Sequence, residues 1–295
     1  MIPELFGYKL LTRIGQGAAS ELHLVQDQKT KQIWALKHVV RKTDRDDRFI
    51  QQVEDEFAIG RRLEHPNLRA TVEIFRKKKL FKTVEIGLLL EYVDAGSIDQ
   101  RMPKNQLEAV KIFAQVARGL AHMHERGFVH ADMKPTNVMV TDDAMVKVID
   151  LGQACAIGTI KKRIQGTPGY MAPEQAHRQA IAPATDLYNF GATMYWVLMG
   201  EVIPTAMPPK EEQSGLYKGA IDRERIPLPI PPHEQNAAIH HLLSKQVMEC
   251  IQLDPAARPA SMDRVATRLE LIADLIQHPV KSDMVFGEDE TRSDG

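Results

Sequence analysis

The sequence predicts an α+β fold in two parts, a small antiparallel sheet with one helix followed by a mainly helical region. Two observations carry this. Up to residue 93, short apolar or alternating segments are separated by glycine-rich or polar turns, which is the pattern of antiparallel strands. From residue 105 the apolar residues recur at helical spacing instead.

Taken in order, residues 10–14, 21–25 and 33–37 read as strands. Residues 46–63 read as a helix, with Phe49, Val53, Phe57 and Ala58 at turn spacing. Strands follow at 71–75 and 83–92. In the second part, Asn105 followed by Glu108 has the form of a capping box. Leu107, Val110, Phe113, Ala114, Ala117, Leu120, Ala121 and His124 then line one face of a helix, which reads as core. Brief strands at 137–140 and 145–149 flank a turn at Asp142 and Asp143, and helices are expected at 186–199, 236–251 and 261–276, the last capped by Ser261. Residues 203–232, rich in proline and charge, read as a long surface connection. The expected organisation is a first lobe at 1–93, a second at 94–280 and a polar, frayed tail at 281–295, with no internal repeat.

Composition narrows the function classes. A net charge of -1 gives no global attraction to nucleic acid or to an anionic membrane. Cys155 and Cys250 make neither a disulfide scaffold nor a zinc motif and read as reduced thiols. No signal peptide and no membrane-length apolar run is present, so the chain reads as cytoplasmic.

The chemistry starts at Gly15-Gln16-Gly17-Ala18-Ala19-Ser20. A dinucleotide-binding reading needs a helix after the glycines. Here residues 21–25 alternate as a strand, so the loop joins two strands, and its glycines let backbone approach a phosphate. Lys37, on the third strand, matters only with an acidic partner, for which Glu56 on the following helix is the candidate. The densest cluster is His130-Ala131-Asp132-Met133-Lys134-Pro135-Thr136-Asn137, then Asp150-Leu151-Gly152. Phosphoryl transfer needs such a set: a carboxylate to accept the proton of the attacking hydroxyl, a lysine to offset charge on the moving phosphoryl group, and an amide and a second carboxylate to give magnesium hard oxygens.

The order of glycine loop, Ala-x-Lys, helix Glu, His-x-Asp-x-Lys-Pro-x-Asn, Asp-x-Gly and Ala-Pro-Glu resembles that of the eukaryotic-type serine/threonine protein-kinase family, in a bacterial-like form, over residues 8–276. The resemblance implies a two-lobed kinase fold, with ATP and Mg2+ as cofactors and a protein serine or threonine as acceptor. It implies that Gly15, Gly17 and Ser20 cover the phosphates and that Ile14, Leu22, Ala35 and Met139 enclose the adenine. Leu90 is similar to the gatekeeper and residues 91–93, Glu91 and Val93 included, to the hinge. Lys37 would hold phosphates and pair with Glu56. Asp132 matches the catalytic base, Lys134 the phosphate-contacting lysine, and Asn137 and Asp150 the magnesium ligands. Residues 166–174 resemble the substrate-facing end of the activation segment, Arg258 the arginine that pairs with Glu174, and Asp186 the brace of the catalytic loop. Lys134 points to serine/threonine rather than tyrosine specificity.

Four residues depart from the pattern. Ser20 replaces a third glycine and Leu151 the usual Phe, both tolerable. Ala131 replaces the arginine that normally receives a loop phosphate, so activity independent of loop phosphorylation is expected. Gly60, one turn after Glu56, predicts a gap against Leu151 and a mobile helix that a regulatory partner or dimer contact orders.

Other features read as structural. Residues 76–79 (Arg-Lys-Lys-Lys) are expected to be a solvated turn between strands, and Lys161-Lys162-Arg163 a solvated loop. His122, His124 and His130 are spaced wrongly for a metal, and residues 227–232 are a connector. Two competing functions remain: a pseudokinase scaffold, opposed by the presence of Lys37, Asp132, Asn137 and Asp150, and a small-molecule kinase, opposed by residues 166–174.

Overall fold

A computed structural model describes residues 3–17, 19–207 and 221–279. The first half is a six-stranded antiparallel sheet made of β1 (Glu4–Leu5), β2 (Tyr8–Gln16), β3 (Ser20–Gln26), β4 (Ile33–Val40), β5 (Thr71–Lys79) and β6 (Lys82–Glu91), in the order β1-β2-β3-β4-β6-β5. Helix α1 (Asp47–Gly60) lies between β4 and β5 in sequence. Alternation along the strands separates two faces. Ala35, Val39, Ile86, Leu88 and Leu90 pack with Ile50 and Val53 of α1, while Val25, Leu36 and Leu89 pack on the opposite face under Phe6, Tyr8 and Trp34. Gly87 makes room for that cover, since a Cβ there would sit 2.6 Å from the Phe6 ring.

The second half is built around α2 (Gln106–Glu125), whose Asn105 cap accepts from the Glu108 amide at 3.0 Å. Two small sheets carry the catalytic-type loop: β7 (Gly96–Ser97) with β9 (Val138–Val140) and β10 (Val146–Val148), and β8 (Phe128–Val129) with β11 (Cys155–Ala156). Helices α3 (Pro173–Ala176), α4 (Pro183–Met199), α5 (Pro232–Gln235), α6 (His241–Cys250) and α7 (Met262–Gln277) complete it. A continuous core runs from Phe113 and Leu120 of α2 through Phe190 of α4 to Val265 and Leu269 of α7. The halves meet where Leu68 bridges Val148 and the Arg69 amide donates to the Val148 carbonyl at 3.0 Å. No helix among the described residues is long and apolar enough to cross a membrane.

Several elements differ from the expectation. Residues 76–79 are not a turn: β5 continues through Lys79, and Lys77 pairs across the ladder with Glu85, 3.0 Å away. That one cross-strand charge pair and the bond of Arg76 to Glu54 of α1 hold the first half of the basic run in the strand. The turn falls at Leu80 and Phe81, with Leu80 in the left-handed region. The helix expected at 236–251 begins only at His241, because the Asn236 side chain accepts from the Ala238 amide at 3.0 Å and closes a local turn that competes with the helix. Asn137 belongs to a 3-10 turn (Pro135–Asn137) rather than to the strand. The connection at 203–232 is not purely surface, since Ile203, Ala206 and Ile226 are buried. Its residues 208–220, and the tail expected at 281–295, lie outside the described residues.

The gap expected at Gly60 is not there. A Cβ built on Gly60 would meet Thr71 Oγ1 at 2.1 Å and Thr71 Cβ at 2.8 Å. Thr71, at the start of β5, fills the space that a larger residue on the helix would occupy, and the reason for expecting a partner to order α1 goes with the gap.

Candidate active site

Between the halves opens a cleft of about 560 Å3, lined among others by Gly17, Ser20, Lys37, Asp132, Lys134, Asp150 and Thr167. Residues from six separate stretches of the chain therefore meet on one cavity.

Lys37 projects from β4 toward α1, and its Nζ lies 2.7 Å from Glu56 Oε2 and 3.5 Å from Asp150 Oδ1. Glu56 is 2% exposed, so this is a desolvated pair, costly to break by removing one partner. Burial alone would lower the Lys37 pKa, but the carboxylates of Glu56 and Asp150 outweigh it and hold the ammonium above its usual range. Asp150 shows the converse: burial acts to raise its pKa, while Lys37, then Arg69 and the Gly152 amide, hold it well below the carboxylate range. Asp150 itself adopts left-handed backbone, φ 65, and accepts from the Gly152 amide at 3.2 Å. A non-glycine residue held there is sustained by its surroundings. Here Gln52 of α1 contributes by donating to the Gly152 carbonyl at 2.8 Å.

The opposite wall is the loop from His130 to Asn137. Asp132 is 8% exposed; its Oδ1 accepts from the Thr167 hydroxyl at 2.7 Å and its Oδ2 lies 3.0 Å from Lys134 Nζ. Lys134 also donates to Thr167 Oγ1 at 3.0 Å, closing a three-membered ring of bonds. Asn137 donates its amide to the Asp132 carbonyl at 2.9 Å.

The loop is braced from beneath. Asp186, fully buried on α4, accepts from the amides of His130 and Ala131, both at 2.8 Å, and meets His124 Nε2 at 2.9 Å. Burial pushes the Asp186 carboxyl up, but these bonds and the two imidazoles more than offset it and its pKa is lowered. Ala131, at φ 60, directs its carbonyl to Gln175 Nε2 at 2.8 Å. Gln175 is in turn held by Asn189 at 2.8 Å. Arg258 engages Glu174 through two bonds, 2.7 and 3.1 Å, in a fully buried setting.

The structure thus brings Gly17, Ser20, Lys37, Asp132, Lys134 and Asp150 onto the cleft, with Glu56 and Asn137 directly behind it. The residues expected around adenine lie outside this lining. Leu22 packs beside Ala35 and Leu90 on the inner face of the sheet, Ala35 is paired with Leu90, Ile14 is exposed, and Gly15 pairs with Leu22. Val93 and Met139 are half-buried, Met139 in β9 of the second half. The Glu91 carboxylate turns away to Lys147, 2.9 Å, and to the Ala70 amide. Two residues were missed from the sequence. Gln52 sits one turn before Glu56 on the same helix face, so the spacing signalled it. Arg69 lines a small recess behind Leu90 together with Glu56, Thr71 and Asp150, and nothing in its sequence context marked it.

A family model described as the protein kinase domain matches residues 8–279. A probable serine/threonine-protein kinase of Clostridium acetobutylicum is 27% identical over 270 residues, 89% of this chain and 39% of the relative. The serine/threonine-protein kinase PknB of Mycobacterium leprae is 29% identical over 281 residues, 92% of this chain and 42% of that protein. The calcium/calmodulin-dependent protein kinase type IV of Homo sapiens is 30% identical over 203 residues, 65% of this chain and 41% of the relative. The chain spans about two fifths of the length of these curated relatives.

Proposed function

We propose that this chain, which belongs to the protein kinase family, transfers the γ-phosphate of ATP to a serine or threonine hydroxyl of a protein. The observation that carries the reading is the convergence of the Lys37–Glu56 pair, Asp150 and the Asp132–Lys134–Thr167 ring on a single cleft.

Asp132 is the base. Its Oδ1 already accepts a hydrogen bond from the Thr167 hydroxyl at 2.7 Å, and a substrate hydroxyl in the same relation gives up its proton there as its oxygen bonds to the γ-phosphorus and the bond to the β-phosphate oxygen breaks. Lys134 stands beside the reacting oxygens, and Lys37, aligned by Glu56, holds phosphate oxygens. Ile14, Leu22, Ala35, Leu90 and Met139 enclose adenine, with the backbone of Glu91 and Val93 as its hydrogen-bonding edge. The donor set fits magnesium: Asp150 offers a carboxylate kept ionised, and Asn137, with its amide committed to the Asp132 carbonyl, offers its side-chain oxygen. When bound, Mg2+ neutralises phosphate charge.

The same reading includes independence from activation-loop phosphorylation. It is supported by Ala131, which has no cation to receive a phosphate, and by Gln175 of α3, which joins the Ala131 carbonyl to the Ala172 amide of the activation segment through neutral bonds. A cytoplasmic location accords with two free, buried thiols. Transfer of labelled γ-phosphate to a basic protein, from wild type and from Asp132→Asn, tests the reading. Label on serine or threonine, reduced at least ~100-fold in the variant, is expected. ATP binding without label from either protein would replace the enzyme with a scaffold, and a large loss after phosphatase treatment would overturn the loop-independence.

A further inference from the structure

We propose that the outer face of the six-stranded sheet holds a site for a divalent transition cation of the zinc class, bound by Glu21, His23 and His38. Glu21 and His23 are two apart on β3 and so project to one face, and His38 lies directly opposite Glu21 on β4. One donor atom from each residue lies within 4.8 Å of the other two, a grouping of His and carboxylate found nowhere else among the described residues. Two imidazoles with a carboxylate select Zn2+ or Co2+ over Mg2+ and Ca2+, which take oxygen ligands.

The state of His23 points to a ligand. The residue is 8% exposed and its Nε2 lies 3.1 Å from Glu21 Oε2, while its Nδ1 is buried with no partner among the described residues. The 3.1 Å between His23 Nε2 and Glu21 Oε2 is the separation two ligands of one cation take, and a cation that replaces the shared proton binds both. His38 has the support that metal-binding histidines use: Glu85 Oε1 lies 2.8 Å from its Nε2 and fixes the ring. Arg13, 3.5 Å from Glu21, and Lys77, 3.0 Å from Glu85, close the strip at its two ends. Phe6 meets the His38 ring edge-on, with centroids 5.8 Å apart, and shields it from water. Between the imidazoles themselves no bond is made.

The location gives the site a consequence. It ties β3, which leaves the glycine loop, to β4, which carries Lys37, from the face opposite the cleft. Asn137 and Asp150 are not involved, so the inference stands apart from the phosphoryl-transfer reading.

The test is calorimetric titration of Zn2+ into the whole chain in excess Mg2+, which occupies hard-oxygen sites. One equivalent is expected for wild type, at least tenfold weaker binding for His23→Gln and for His38→Gln, and no change for His241→Gln, an exposed histidine outside the cluster. Equal affinity across wild type and the two cluster variants, or less than one equivalent for wild type, overturns the site. Because a misfolded variant also loses metal, Co2+ bound to wild type gives a reading that needs no substitution. Intense visible bands displaced by Zn2+ are expected, and the weak spectrum of hydrated Co2+ overturns the proposal.

Discussion

Gly60 and Thr71 offer a direct test of how α1 is seated. Gly60→Ala would by itself favour the helix by up to about 1 kcal/mol. The new Cβ, however, lands 2.1 Å from Thr71 Oγ1 and 2.8 Å from Thr71 Cβ, closer than side chains approach without displacement. Overpacking of this kind costs roughly 1–3 kcal/mol, so the single variant is expected to be less stable by up to about 2 kcal/mol. Thr71→Gly opens the space. In that background Gly60→Ala keeps its helix gain and loses the clash, so the sign of its effect reverses. The coupling between the two sites is therefore the clash itself, about 1–3 kcal/mol, read from a double-mutant cycle of urea unfolding curves. Effects that add to within about 0.5 kcal/mol would refute the contact and restore the gap. Kinase activity should follow the same order, since Glu56 lies one turn before Gly60 and moves with it.

Three further outcomes are expected. Arg258→Met leaves Glu174 charged and buried, and should cost about 3–5 kcal/mol in urea unfolding; the double variant with Glu174→Leu should recover most of it. Thr167→Val removes the hydroxyl that Asp132 and Lys134 share, and should lower kcat/KM for a protein substrate by about tenfold with the KM for ATP unchanged, as steady-state kinetics would show. Asp186 is a carboxylate whose folded pKa lies below its usual 3.8, so it stabilises the fold above that value, and the contribution is lost as pH falls from about 3.8 toward the folded pKa. Unfolding free energy measured from pH 5 downward should fall less steeply in Asp186→Asn than in wild type; equal slopes would assign the acid sensitivity elsewhere.

What the sequence displayed was whatever repeats or clusters along the chain. Alternation in residues 20–26 and 33–40 and the helical period after Asn105 are local, and the elements appeared close to where they were expected. The Lys37–Glu56 pair spans 19 positions but was recoverable because each partner sat in a distinct pattern. The misreadings came from contacts between distant segments. That residues 76–79 belong to a strand depends on Glu85 across the ladder, and that Gly60 is crowded depends on Thr71 from the next strand. Arg69 reached the recess behind Leu90 through the pairing of residues 68–69 with Val148, and the His23–His38 cluster through strand register. None of these is visible until the chain is folded.

The bond from Gln175 to the Ala131 carbonyl is made by two groups that never ionise. A guanidinium holding a phosphate loosens as salt is added and changes with the protonation of the phosphate, because its strength is carried by charge. An amide on a carbonyl does neither. This one tie between α3 and the catalytic-type loop is therefore indifferent to ionic strength and to pH across the neutral range, unlike the charged contacts of Asp132 and Lys134 with Thr167, and its strength is set once, by the geometry of the fold.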